Sequence, residues 1–326
     1  MSDPLKIYDR ILDVSSAINF PIKILAMVIV ATKTPSTQKH FSKFVLSIMI
    51  WNFICNVIFV FVHLSSTFPA TCFRMNGLID LVVDDEVVGH YIFLVIVLCI
   101  ENCIISLTFL FPYRYLTYIF RARMEKFRED LACLICGVIH VAVSILTICT
   151  HLVWVTNYDT YPDWAELPHD SSNLVCYLPN GFGKLFHVYL YLVMLCGAVL
   201  ISATFAFLLF LGIYRQGGVT HEQTVKIQKR ILWNLTILTS VAILLGALPL
   251  IIIVILILFP YTPYANDVFS VCVTIVANHG TIYSVLTLTL FEPYRKAVIE
   301  IVCKTFGRKK TKIDDNLFVM MTSNKF

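Results

Sequence analysis

Seven apolar segments, each about as long as a helix must be to cross a bilayer, constrain this chain more than any other feature. A hydrocarbon core of ~30 Å takes about 20 helical residues. Segments 11–31, 44–64, 88–112, 131–154, 185–213, 231–259 and 268–291 reach that length. The second contains no Asp, Glu, Lys or Arg, and the run 241–259 in the sixth is interrupted only by Gly246 and Pro249. Backbone polar groups in lipid must be satisfied internally, so such spans are helices. Composition agrees. Hydrophobic residues make up 58% of the chain and charged residues 14%, against roughly 45–50% and 25% in soluble domains. A water-soluble enzyme, a disordered chain and a small disulfide scaffold are all excluded. The expected fold is all-α, a seven-transmembrane helix bundle over 1–291 followed by a cytoplasmic tail over 292–326.

Basic residues give the direction of insertion. Segments 32–43, 113–130, 214–230 and the tail from 292 hold three, five, four and eight Lys or Arg, twenty of the 25 in the chain. The alternate segments hold Lys6, Arg10, Arg74 and Lys184. Positive charge stays on the cytoplasmic side, so the N-terminus is expected outside and the C-terminus inside. Residues 1–10 lack a cleavable apolar region, which makes the first span an uncleaved anchor. The expected location is the plasma membrane, as a multi-pass protein. Cys72 and Cys176 are the two cysteines in outward segments, where thiols oxidise. A bridge between them would tie the loop before the third span to the long loop before the fifth. The alternative is two free thiols.

After the seventh span, Pro293 suits a helix start. Val298, Ile301, Val302 and Phe306 recur at helical spacing, opposite Arg295, Lys296, Glu300 and Lys304. The pattern predicts an interfacial amphipathic helix against membrane lipid. Cys303, beside Arg308, Lys309 and Lys310, is a candidate for S-palmitoylation or an unmodified thiol. Lys226 and Arg230 lead into the sixth span, where they meet acidic partner surface or anionic lipid, or simply anchor the chain.

Ionisable groups inside spans are costly and mark functional sites or polar contacts between helices. Lys23 and Glu101 fall near mid-depth, with Asn52, Asn56, Asn278 and His279 at similar depth. Lys23 and Glu101 are the one opposite-charge pair there, and the sequence predicts that they pair directly or through Asn56 or His279. Together these residues form an expected midplane polar layer, read either as a switch, with Lys23, Asn56, Glu101 and His279 as its candidates, or as glue between helices. Outward of it, Tyr91, Leu94, Val97 and Leu98 on the third span, His187 and Tyr191 on the fifth, and Cys272 and Ile275 on the seventh are candidate walls of a small-molecule cavity. Helix packing is the alternative for each. Pro249 predicts a kink in the sixth span. No Gly-rich phosphate loop, aqueous Cys-x-x-Cys pair or nucleophile elbow is present. The chain is therefore read as no enzyme, with no cofactor, no metal and no nucleic-acid partner.

Several short motifs now fall into order. Lys33-Thr34-Pro35 lies in the first inner loop, Phe111-Pro112-Tyr113-Arg114-Tyr115 ends the third span, His279-Gly280-Thr281 lies in the seventh, and Pro293-Tyr294-Arg295 follows it. With Pro21 and Pro249, this set resembles the nematode serpentine chemoreceptors of the Srh, Sri and Str group, Srh most closely. Pro112 and Tyr113 depart from the acidic and amide residues that precede the arginine in those families. The resemblance implies a chemosensory receptor in sensory cilia that detects a small-molecule ligand and couples to a heterotrimeric G protein. It makes Arg114 the coupling candidate at the inner end of the third span; the alternative is an anchor at phosphate depth. A seven-span ligand-gated channel or small-solute transporter is the competing function, opposed by the charge bias and by the lack of paired broken helices.

Overall fold

A computed structural model describes residues 4–35, 39–78, 85–119, 129–168, 172–216 and 222–305. Among these residues, seven helical stretches are long and apolar enough to span a membrane. The first two are single helices, α1 at Pro4–Lys33 and α2 at Lys39–Val62. The third is bipartite: α3, Glu86–Thr108, passes through Phe109 into α4, Leu110–Ile119. Pro112 offers no N–H to the carbonyl of Thr108, which explains the break. At the other end of α3, Asp85 caps the helix by accepting the Val87 amide at 2.9 Å. The fourth and fifth spans are α5, Glu129–Trp154, and α6, Phe182–Gln216.

The sixth span carries the most irregular backbone. Helix α7, Glu222–Ala242, widens into a π-helical turn at Ile243–Ala247 before α8, Leu248–Leu258. Pro249 leaves the Leu245 carbonyl without its usual partner, and the looser turn absorbs that loss. The disturbance predicted at Pro249 is thus a π turn immediately before it. The seventh span is α9, Ala265–Leu290. Helix α10, Glu292–Thr305, follows after Phe291 and coincides with the helix expected in the tail. The chain beyond 305, with Phe306 and the basic group at 308–310, lies outside the described residues.

A small antiparallel sheet, which the sequence reading did not foresee, covers one end of the bundle. Its strands are β1 at Leu64–Ser66, β2 at Cys72–Met75 and β3 at Leu174–Cys176, in the order β1-β2-β3. Cys72 lies directly opposite Cys176 in the β2–β3 register, and the two form a disulfide with an S–S distance of 2.06 Å. Helix α10 marks the opposite end.

Apolar side chains such as Val14, Val138, Val141 and Leu200 cover the outer face of the helices. Two buried apolar clusters fill the interior. One, at the disulfide end, is built around Phe73, Phe93, Trp154, Tyr177 and Phe269. The other, toward α10, includes Val45, Leu110, Phe111, Leu235 and Tyr283. Buried polar residues, including Lys23, Asn52, Asn56 and Glu101, lie between the two.

Candidate functional site

Two cavities follow one another along the inside of the bundle. The first lies beneath the sheet and measures about 90 Å³. Leu64 and Phe73 form its roof, and Phe93, Val97, Trp154, His187, Tyr191 and Phe269 stand among its walls. The second, about 60 Å³, reaches toward mid-bundle and touches Asn52, Asn56, Gly246 and His279. Phe59, Ile100, Leu250 and Val276 line both and form the constriction between them. An apolar cavity of ~150 Å³ holds a benzene-sized molecule, so each space must expand to take even that.

The first cavity has a polar fitting in an apolar wall. Thr150 donates its hydroxyl proton to the Thr147 carbonyl at 3.0 Å, which leaves its oxygen to accept from His187 Nδ1 at 2.8 Å. That arrangement places the ring proton on Nδ1 and makes Nε2 an acceptor. The His187 ring also stacks on Trp154, with centroids 5.0 Å apart. Above the cavity, Tyr177 is fully buried against Trp154 at 4.4 Å. Burial holds the Tyr177 phenol well above its ordinary pKa, so it stays protonated.

The second cavity rests on a chain of polar side chains that crosses three spans. Lys23 Nζ donates to Asn52 Oδ1 at 2.6 Å, and Asn52 Nδ2 meets His279 Nε2 at 3.4 Å. His279 Nδ1 lies 2.6 Å from the Val276 carbonyl, so Nδ1 carries the proton and Nε2 accepts from Asn52. Beside this chain, Asn56 Nδ2 donates to the Ala277 carbonyl at 2.7 Å, and Asn19 Nδ2 donates to Asn278 Oδ1 at 2.9 Å. Gly246, in the π turn, faces the same histidine: a Cβ there would sit 3.4 Å from His279 Cδ2. The irregular turn of the sixth span therefore bears directly on the polar chain.

At the α10 end, Arg114 packs its guanidinium over the Phe41 ring, 4.2 Å from the centroid. Its Nε and Nη2 atoms are buried without a hydrogen-bond partner. Arg230 bonds Glu292 at 3.2 Å, and Lys296 reaches the same carboxylate at 2.8 Å, which joins α7 to α10. The hydrogen bond from Lys296, aided by the charges of Arg230 and Arg295, holds Glu292 below the ordinary carboxylate range. No cluster of three or more His, Cys, Asp or Glu side chains among the described residues is arranged to hold a metal.

The family model for the serpentine type 7TM GPCR chemoreceptor Srh matches residues 5–304. The chain belongs to the Srh family. It is therefore a multi-pass membrane protein and a member of a seven-span chemoreceptor family, a family of receptors and not of known enzymes. No curated relative matches it.

Within this Srh chain, the candidate ligand residues separate. Val97, His187 and Tyr191 line the first cavity. Tyr91 does not: it is 60% exposed on the outer face of α3. Leu94 and Cys272 are buried and Leu98 is half-buried, but none of the three lines either cavity. Ile275 turns to a separate side groove between α1 and α9. The wall of α3 is instead Phe93, Ile96, Val97 and Ile100.

The midplane group also divides. Lys23, Asn56 and His279 lie in or beside the polar chain. Glu101 faces α5, where Thr147 Oγ1 donates to its Oε1 at 2.7 Å. The expected ion pair between Lys23 and Glu101 is replaced by these two neutral partners. Asn52, placed in the layer by the sequence but not among its candidate switch residues, is the side chain that joins Lys23 to His279. A second polar cluster also went unforeseen: His140 Nδ1 meets Asn102 Oδ1, and His140 Nε2 lies 3.3 Å from Ser106 Oγ. At the α10 end, Lys226 is exposed and Cys303 is half-buried near the end of α10.

Proposed function

We propose that this Srh chain is a plasma-membrane chemosensory receptor, displayed on sensory cilia with its N-terminus outside. It binds a small, mostly apolar molecule in the cavity beneath the sheet and couples to a heterotrimeric G protein at the α10 end. The observation that carries the reading is the course of the two cavities. A ligand that expands the upper space presses on Phe59, Ile100, Leu250 and Val276, which also wall the lower one. The lower space ends at His279 and Gly246, where the π turn interrupts the sixth span. Displacement there swings α7, whose far end is tied to α10 by the exposed Arg230–Glu292 pair. Arg114, Lys226 and Arg230 then supply the cationic side of a G-protein contact, and a palmitoyl group on Cys303 would hold α10 against the leaflet.

The test is nucleotide exchange on heterotrimeric G protein by receptor in lipid nanodiscs, across a panel of apolar compounds with one polar group. Exchange is expected with a subset of the panel and is lost in Val97→Trp, which fills the upper cavity. Exchange that survives Val97→Trp unchanged, with Cys72–Cys176 still oxidised, removes the cavity from the mechanism.

A further inference from the structure

The sheet and its disulfide close the upper cavity from above, yet one of its flanks is thin. A groove of about 830 Å³ opens on the side of the bundle between α1 and α9. Its lower wall is mostly apolar, formed by Ile7 and Ile11 of α1 and by Val271 and Ile275 of α9, with the Ser270 and Thr274 hydroxyls beside them. Its upper rim carries Arg74, Glu166 and Asp267. From Asn266 to Ile275 the groove descends about 14 Å along α9 at 1.5 Å per residue, so an alkyl body can lie along the wall with its polar head among the groove's hydroxyls.

Phe68 separates this groove from the cavity. It lines the groove, and its ring packs edge-on against Phe269 at 6.0 Å and Phe73 at 6.5 Å. Both of those rings line the upper cavity. The partition is thus two rings thick, with Phe68 on the groove side and Phe269 or Phe73 on the cavity side.

Below the rim, where Arg74 is a donor, the hydroxyl groups of the groove offer acceptors to a ligand head. Ser270 Oγ gives its proton to the Asn266 carbonyl at 3.0 Å, and Thr274 Oγ1 gives its own to the Ser270 carbonyl at 2.8 Å. Both hydroxyl oxygens are left as acceptors, and the Asp267 carboxylate is a third. Inside the cavity, His187 Nε2 is an acceptor as well.

We propose that the groove between α1 and α9 is a lateral vestibule, with the Phe68–Phe269 ring pair as its gate, for an amphipathic ligand dissolved in the bilayer: an alkyl chain headed by a hydroxyl group. The inference rests on the cavity reading above and adds the route of access and the ligand class. It accounts for how a molecule passes a roof closed by the sheet.

The test uses the full chain in phosphatidylcholine nanodiscs and a photoreactive decanol carrying a diazirine, with its methyl ether as the control. Labelled peptides are mapped by mass spectrometry, so no signalling readout is needed. Label from the alcohol is expected at Ile11 and Val271 in the groove and at Phe93 and Ile257 in the cavity, above the level at the lipid-facing Val138 and Val141. The ether should label these sites about fivefold less, the worth of roughly 1 kcal/mol for one neutral hydrogen bond. Ser270→Trp, which obstructs the groove, should slow cavity labelling by about tenfold, as interface variants change association rates by one to three decades. Phe68→Ala should speed it. Because Ser270→Trp acts on one wall, Ile11→Trp on the other guards against a folding defect, with disulfide formation as the check.

Cavity labelling that ignores both tryptophans overturns the vestibule and keeps the cavity. Groove labelling with no label in the cavity overturns the cavity reading and leaves a site for bilayer lipid. Groove label no stronger than at Val138, or equal for alcohol and ether, overturns the proposed ligand class.

Discussion

Gly280 lies so close to Asn52 that a Cβ built at position 280 overlaps the Asn52 side-chain amide. The contact explains why glycine stands next to His279. The amide must fit between two helices and still reach Lys23 and His279. Gly280→Ala should displace Asn52, break the polar chain and lower stability by about 1–3 kcal/mol, the usual cost of overpacking. Thermal unfolding of receptor in nanodiscs reads the change. In a double-mutant cycle with Asn52→Ala, the Gly280→Ala penalty should shrink, because the amide it collides with is gone. Strict additivity would mean that the two residues are not in contact.

Glu101 and Thr147 make a second test of the buried polar layer. Thr147 donates to Oε1, while Oε2 is buried with no hydrogen-bond partner. Thr147→Val removes the donor and leaves both oxygens without one, which should cost about 1–3 kcal/mol. Glu101→Gln keeps an acceptor for Thr147 and removes the charge, so it should be neutral or stabilising. Melting temperatures should fall in the order Gln variant, wild type, Val variant. The reverse order would show that Glu101 is paired with a cation instead.

The number of spans was legible because the bilayer sets a length that apolar runs either meet or miss. Cys72 and Cys176 were legible as the outward thiols. The phase of α3 was not. Glu101 served as the inward reference, and stepping from it toward the sheet selected Tyr91, Leu94, Val97 and Leu98. In the structure Glu101 faces α5, and the cavity wall is the face of Phe93, Ile96, Val97 and Ile100. In a membrane protein the lipid face and the cavity face are both apolar, so hydropathy cannot tell them apart. The same limit explains the missing Lys23–Glu101 pair. Opposite charges at equal depth look like partners, but the neighbours of α1 are α2 and α9. The sheet escaped notice because three strands of three or four residues carry no period long enough to read.

The Arg230–Glu292 link predicts a pH response at the α10 end. Glu292 titrates below its unfolded value, so its contribution is present above the ordinary carboxylate range and is lost as pH falls through the lowered value. Both side chains are largely exposed, so the pair is worth at most about 1 kcal/mol and weakens in high salt. Spin labels on α7 and α10 should move apart as the pH falls through this lowered carboxylate range. Glu292→Gln should reproduce that separation at neutral pH and raise basal nucleotide exchange about twofold, the equivalent of roughly half a kcal/mol. An unchanged basal rate in the separated state would detach this link from coupling.

Ile100 reaches both cavities at the constriction, beside Phe59, Leu250 and Val276. Its size decides whether the two spaces act as one. Ile100→Ala should join them at a cost of about 2 kcal/mol, the low end for removing an aliphatic side chain, since Ile100 is half-buried. The merged space has room for a longer chain, so the optimum length in an alcohol series should rise, read as nucleotide exchange against chain length. Ile100→Phe should close the constriction. The upper cavity would then still bind, but strain from the ligand would no longer reach His279 and Gly246, and exchange should fall while labelling of Phe93 persists. Binding and exchange lost together in Ile100→Phe would place the ligand across the constriction in the wild-type receptor.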